Sequence, residues 1–333
     1  MANTFKISTD GKILEELLDS KATHLTIPYG ITTIKTRAFN YNDNIKKIEI
    51  PNSVTTIEWG AFNGCSELQE INIPNSITEI EGTTFCDCGS LKSIDIPNSV
   101  IIIKQQAFAA CSNLKSIDIP NSVRTIEPMA FEHCYALQSI HIPNSITRIE
   151  NFLFDDCTAL KHIYIPDSVT EIGHAAFCNC TALQNIHIPS NVKSIEWEAF
   201  YDCESLESIE IPYGVTQIED SVFFNCCALK NISMPSSITI IGVGAFYGCT
   251  SLQSMDIPKS VTRICYQAFC GCSNLKRIHI HWTEIDTIYI DENAFDINEI
   301  NFKDCTLYVP PGTRWTYRQH PIFGKFNNIE IEY

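Results

Sequence analysis

Proline stands at 28, 51, 74, 97, 120, 143, 166, 189, 212, 235 and 258, a spacing of 23 residues without a slip. Eleven residues after each proline is a phenylalanine, from Phe39 and Phe62 through to Phe269. Six residues after each is an isoleucine, from Ile34 to Ile264. A unit this short cannot bury its own apolar face and must stack on copies of itself. Stacking in register turns every column into a ladder with a rise of about 4.8 Å, the separation of neighbouring strands.

The stretch from Leu68 to Leu91 shows one unit. Ile71, Asn72 and Ile73 alternate apolar and polar as a half-buried strand does. Pro74 ends the strand because it has no N–H for a sheet ladder, and Asn75-Ser76 supplies turn chemistry. Ile77 and Ile80 then point inward around a second short extended stretch. Thr84, Phe85 and Cys88 belong to a compact return segment with partial helical character. Each buried phenylalanine is worth roughly 2–3 kcal/mol relative to exposure. The expected fold is a β-rich right-handed solenoid of 23-residue repeats with a parallel β-sheet on its concave face.

The ends depart from the pattern, as capping units do. The expected organisation is an N-terminal cap over 1–21, eleven stacked repeats over 22–281, an irregular last repeat over 282–304 and a C-terminal cap over 305–333. Within the first cap, Ile13-Leu14-Glu15-Glu16-Leu17-Leu18 reads as a short shielding helix. In the last repeat the expected proline is His281, and Phe295 arrives three residues late.

With 39 acidic and 23 basic residues the net charge is −16. Such a surface repels nucleic acid and anionic membrane. No apolar stretch approaches the roughly 18 residues needed to cross a bilayer. The opening Met1-Ala2-Asn3-Thr4-Phe5-Lys6-Ile7-Ser8 has no secretory h-region. The expectation is therefore a cytoplasmic chain, or a surface or secreted one if a leader was removed. No Gly-rich phosphate loop, nucleophile elbow or His-Glu-x-x-His segment is present, so the chain reads as non-enzymatic, without cofactor, and as a monomer.

Ten of the 16 cysteines form one column fourteen residues after the proline, from Cys65 to Cys272; the first repeat has Asn42 there. They read as reduced, buried thiols, because a continuous column offers no preferred pairing. Pairs such as Cys86 and Cys88 lack the Cys-x-x-Cys spacing of structural zinc sites.

The outward positions of the first strand vary from repeat to repeat. Mid-array they gather His141, His162, Tyr164, Asn185 and His187, flanked by acidic residues. This is the candidate recognition patch for a protein partner. A metal site built from His141, His162 and His187 is set aside, since no ligand spacing selects for it. The glutamates recurring seven residues after proline, such as Glu58 and Glu127, read as solvated stripes. Trp59 and Trp197, both eight after proline, read as covers over the return segment.

The motif Leu-x-x-Ile-x-Ile-Pro-x-Ser-Val-x-x-Ile-x-x-x-Ala-Phe-x-x-Cys resembles the BspA-like, Treponema-type leucine-rich repeat over about residues 22 to 312. Leu-Tyr-Val-Pro at 307–310 resembles the way that family closes its arrays. The resemblance implies a leucine-rich-repeat superhelix. It also implies a surface or secreted protein of a bacterium or parasitic protist, with adhesion to a host protein, matrix or glycan as the alternative to a general protein-binding role.

Overall fold

Stacked identical units leave one trace in the backbone: each ladder runs to the residue 23 positions on. The computed structural model, which describes residues 4–295 and 304–332, has that trace. The chain divides into two compact units, residues 1–168 and 169–333, and each is a parallel β-solenoid. In the first, Ser116–Asp118 pairs with Ser139–His141 through Ser116↔Ser139, Ile117↔Ile140 and Asp118↔His141. In the second, Ser208–Glu210 pairs with Asn231–Ser233 in the same way. Ile117 and Ile209 face the core while their neighbours face water, which is the period-2 pattern of a strand wet on one side.

Proline ends this strand and opens a tight turn. Its carbonyl accepts from the amide three residues on, as in Val54 N–H to Pro51 O and Val192 N–H to Pro189 O, both 3.0 Å. The serine two after the proline closes the corner by donating to the preceding coil: Ser99 Oγ to Ile77 O and Ser260 Oγ to Ile238 O, each 2.6 Å. A second ladder of two-residue strands follows, such as Ile102–Ile103 with Thr125–Ile126 and Gln217–Ile218 with Ile240–Ile241.

The return segments are not helical, contrary to the sequence expectation. Their geometry rests on two left-handed residues per coil, nine and thirteen after the proline. Among the described residues, all seventeen non-glycine residues with positive φ fall in these two columns, joined there by Gly60, Gly64, Gly244, Gly248 and Gly271. The left-handed steps aim alternate amides along the stack. Thr83, Phe85 and Asp87 donate to Gln105, Ala107 and Ala109 of the next coil at 2.8–3.0 Å, while Thr84, Cys86 and Cys88 close turns within their own coil. Every amide of the segment is thereby paired, as burial requires. A helix would have turned those amides inward and left the stack unbonded.

The register delivers the phenylalanines face to face. In the first unit successive rings from Phe39 to Phe154 lie 5.1–5.9 Å apart and within 23° of parallel. In the second, those from Phe177 to Phe295 lie 5.0–5.7 Å apart. Offset stacks of this kind add about 0.5–1.5 kcal/mol per pair to the area buried.

Both columns end on a ring turned edge-on. Phe5 meets Phe39 at 6.3 Å and 74°, and Phe323 meets Phe295 at 5.9 Å and 62°. Phe5 is carried by β1 (Phe5–Ile7), which pairs antiparallel with β2 (Ile13–Leu17) around Gly11. The expected helix over 13–18 is thus a strand. Its apolar spacing suits a helix, but the first coil presents an open sheet edge, and β2 pairs with it through Leu14↔Ile34. At the other end Thr306–Val309 and Asn328–Ile331 add two parallel strands, and Tyr317, Phe323 and Phe326 bury their rings beside them. The expected irregular repeat over 282–304 falls partly on 296–303, outside the described residues. In its described part a tight turn at Ile285–Thr287 takes up the three extra residues, and Tyr289–Ile290 pairs with Arg263–Ile264.

Phe131→Ala should cost about 3–5 kcal/mol, since the gap in a stack cannot collapse without breaking register; urea denaturation measures it. Ala110, left-handed at φ 56°, should behave oppositely. Ala110→Gly relieves about 1 kcal/mol of backbone strain against a smaller entropic cost and should raise the midpoint. Ala107→Gly, at a buried position outside the left-handed columns, should lower it.

Candidate functional site

Repeated residues hold the coils together, so specificity must sit where the columns vary. The first strand offers such a surface. In the first unit His141, His162 and Tyr164 are exposed on it, and His141 and Tyr164 are direct register partners on neighbouring strands. In the second unit Asn185 and His187 are exposed on the strand Asn185–His187. They line a trough of about 490 Å³ with Ser208, Glu210, Asn231 and Ser233. The described structure thus pairs His141 with Tyr164, and separately sets Asn185 and His187 in a depression lined by polar side chains and by Ile186, Ile209 and Ile232.

A second trough, of about 410 Å³, lies on the strand face of the first unit between Lys47 and Asp95. Its one cation is engaged: Lys47 Nζ sits 3.4 Å from Glu49 and 3.3 Å from Glu70, and these carboxylates raise the lysine above its ordinary pKa. Asn72 substitutes for a ladder step here, its amide accepting from Ile50 N at 2.8 Å and donating to Ile50 O at 2.7 Å. Nothing in the repeat pattern marked this exchange.

The cysteine column has a structural duty. Within each unit thiols of the column donate to the carbonyl of the phenylalanine one coil back, as in Cys65 to Phe39, Cys111 to Phe85, Cys203 to Phe177 and Cys272 to Phe246, at 3.1–3.2 Å. That carbonyl also accepts the in-coil amide, for example Cys88 N to Phe85 O, so the thiol occupies its second lone pair. Asn42, the exception, instead takes the amides of Asn44 and Ile45 on Oδ1, 3.0 Å each. All sixteen cysteines are free. Among the described residues no group of three His, Cys, Asp or Glu side chains is arranged to hold a metal ion.

The glutamate column is more than a solvated stripe. Glu58, Glu127 and Glu196 each accept a backbone amide of the preceding coil, from Thr36, Gln105 and His174 at 2.8–3.0 Å. Sequence reading also missed a cluster far apart in the chain: His279 Nδ1 lies 2.9 Å from Glu332, His281 Nε2 lies 2.6 Å from Asp256, and Tyr308 stacks on His279 at 4.6 Å. It ties the last segment to the strand face.

A stack of coils with an invariant interior and a variable strand face defines a repeat protein of the leucine-rich class. Known proteins make this specific. The BspA type leucine rich repeat region matches residues 18–135, 78–206 and 193–308, and the chain belongs to that family. Among solved structures, a leucine-rich repeat protein from Bacteroides ovatus is 25% identical, with a TM-score of 0.65 over 100% of this chain and 99% of that one. A leucine rich cell surface protein from Faecalibacterium prausnitzii is 28% identical, with a TM-score of 0.58 over 99% and 93%. The pneumococcal vaccine antigen PcpA, 20% identical with a TM-score of 0.56 over 99% and 82%, shares the fold. The curated proteins give no match.

Burial pushes the thiols of Cys65 and Cys134 up to about 12. The unfolded chain releases these protons near the ordinary thiol value, whereas the folded chain keeps them. Above about pH 9 the native state therefore binds more protons, and stability falls as pH rises, by about 1 kcal/mol per pH unit for each such thiol. Denaturation midpoints should drop from pH 8.5 to 10, and less steeply in Cys134→Ser. A flat profile would contradict this account of the column.

Proposed function

We propose that the chain is a non-enzymatic protein-binding module whose partner docks on the strand face. The observation that carries this reading is the trough beside Asn185 and His187, on a surface where side chains change from coil to coil. Its Ser, Asn, His and Glu groups supply donors and acceptors in both senses, the polar complement a protein surface needs. His141, His162 and Tyr164 extend the same kind of surface in the first unit, with an aromatic ring of the type enriched at contact hot spots. A cell-surface adhesin is the second reading, favoured by the Faecalibacterium relative, which is described as a cell surface protein. Among the described residues no helix is long and apolar enough to cross a membrane.

A photo-crosslinking residue placed at His187 should capture the partner, and the same residue at Phe224 in a return segment should not. His187→Ala combined with Glu210→Ala should weaken that partner by about tenfold or more. Capture from 224 with loss from 187 would move the binding surface off the strand face.

A further inference from the structure

The position eight residues after the proline lies at the corner between the second strand and the return segment. It carries Thr36, Trp59, Gln105, Asn151, Trp197 and other side chains along the array, but a glycine only at Gly82. A Cβ there would stand 3.1 Å from Cδ1 and Nε1 of Trp59 and 3.2 Å from the Gln105 carbonyl oxygen. The missing side chain leaves a notch of about 300 Å³ bounded by Trp59, Lys104, Gln105, Gln106 and Glu127. That is the lower end of the size range of small-molecule sites. Trp59 remains 41% exposed, and the Arg37 guanidinium lies over its ring at 4.8 Å.

Backbone strain collects at the same place. Thr83, on the floor of the notch, has φ 53° and is the only β-branched residue in either left-handed column. β-Branched residues are genuine outliers in that region. Its side chain is 9% exposed, and its buried hydroxyl has no hydrogen-bond partner among the described residues. Strained positions persist where a site is worth the strain.

The charges around the notch are already spoken for. Lys104 Nζ is held 2.8 Å from Glu79 and 2.7 Å from Glu81, and Glu127 Oε2 accepts the Gln105 amide at 2.9 Å. An anion would meet these carboxylates, and an organic cation would meet Lys104 and the Arg37 guanidinium already seated on the ring. What stays open is the part of the Trp59 indole that Arg37 leaves uncovered, the second oxygen of Glu127, and two side-chain amides. The Gln105 amide reaches only the Met129 thioether, at 3.8 Å.

An apolar face with two side-chain amides and one carboxylate oxygen at its rim is the complement of an uncharged sugar ring, whose hydroxyls both donate and accept. We propose that the notch at Gly82 binds a neutral monosaccharide unit, laid against Trp59 and hydrogen-bonded by Gln105, Gln106 and Glu127. This site lies apart from the strand face and stands whether or not a protein docks there. Trp197 is its internal control. That ring stacks on His174 at 3.6 Å, and the next coil presents Asp220, whose carboxylate is taken by Val243 N at 2.7 Å.

The test titrates the full chain, with tryptophan indoles labelled with nitrogen-15, against methyl β-glucoside, methyl β-galactoside and N-acetylglucosamine up to tens of millimolar. At least one sugar should shift the Trp59 Nε1–H resonance saturably and leave Trp197 unmoved. Gly82→Ala, which sets a methyl group against the indole, should weaken that response about tenfold. Gln105→Ala, which leaves the backbone alone, should weaken it severalfold, and it keeps the site testable if Gly82→Ala fails to fold. Three results would overturn the proposal: no sugar moving Trp59, equal shifts at Trp59 and Trp197, or a response to tetramethylammonium in place of the sugars.

Discussion

The hydrogen bond from a phenylalanine amide to the residue just ahead of the next phenylalanine, repeated within each unit, is the contact on which everything else depends. Phe85 to Ala107 and Phe223 to Ala245, at 2.8 and 2.9 Å, are typical. It fixes the register of one coil on the next, and the register in turn brings ring onto ring and thiol under carbonyl. None of these columns means anything alone. A phenylalanine out of register would meet a turn, and its cysteine would point at no acceptor. In-coil turns shape each repeat, but the contacts that hold one repeat to the next lie between coils, as in any one-dimensional repeat protein.

That dependence sorts the residues into two kinds. Interior columns are held to a few residue types because every coil makes the same contacts. The strand face and the corner eight after the proline escape this restriction, and the departures with chemical content sit there: the trough at His187, the paired His141 and Tyr164, and the notch at Gly82. Function in such a chain is read from exceptions to the repeat.

Much of the fold was legible in the sequence because its columns use one residue type each. The parallel strands, the proline-ended turn and the phenylalanine stack all follow from spacing. The left-handed columns were hidden because chemically unrelated residues fill them: Arg37, Gln106, Met129 and Phe152 share one column with Gly60 and Gly244. The recurring glycines were the available clue. The N-terminal strand was misread as a helix because Leu14 and Leu17 have helical spacing, and the open edge at Ile34, which recruits the segment as a strand, is not visible in local sequence.

The candidate surface was legible only in part. Alternation along the strand identifies the exposed residues of His162–Tyr164 and Asn185–His187, but the trough beside His187 depends on the shape of the sheet. The Gly82 notch was less legible still. Trp59 and Trp197 are equivalent in sequence, and they part company when Gly82 of the next coil opens the space beside one and His174 of the preceding coil stacks on the other.

Native-state amide exchange tests the account most directly. If coils are bonded through their return segments, the amides of Phe62, Phe85, Phe108 and Phe131 exchange among the slowest in the chain, while the exposed turn amides of Asn75 and Asn98 exchange fast. Phenylalanine amides that exchange as quickly as those asparagines would mean that the register bond does not hold the stack.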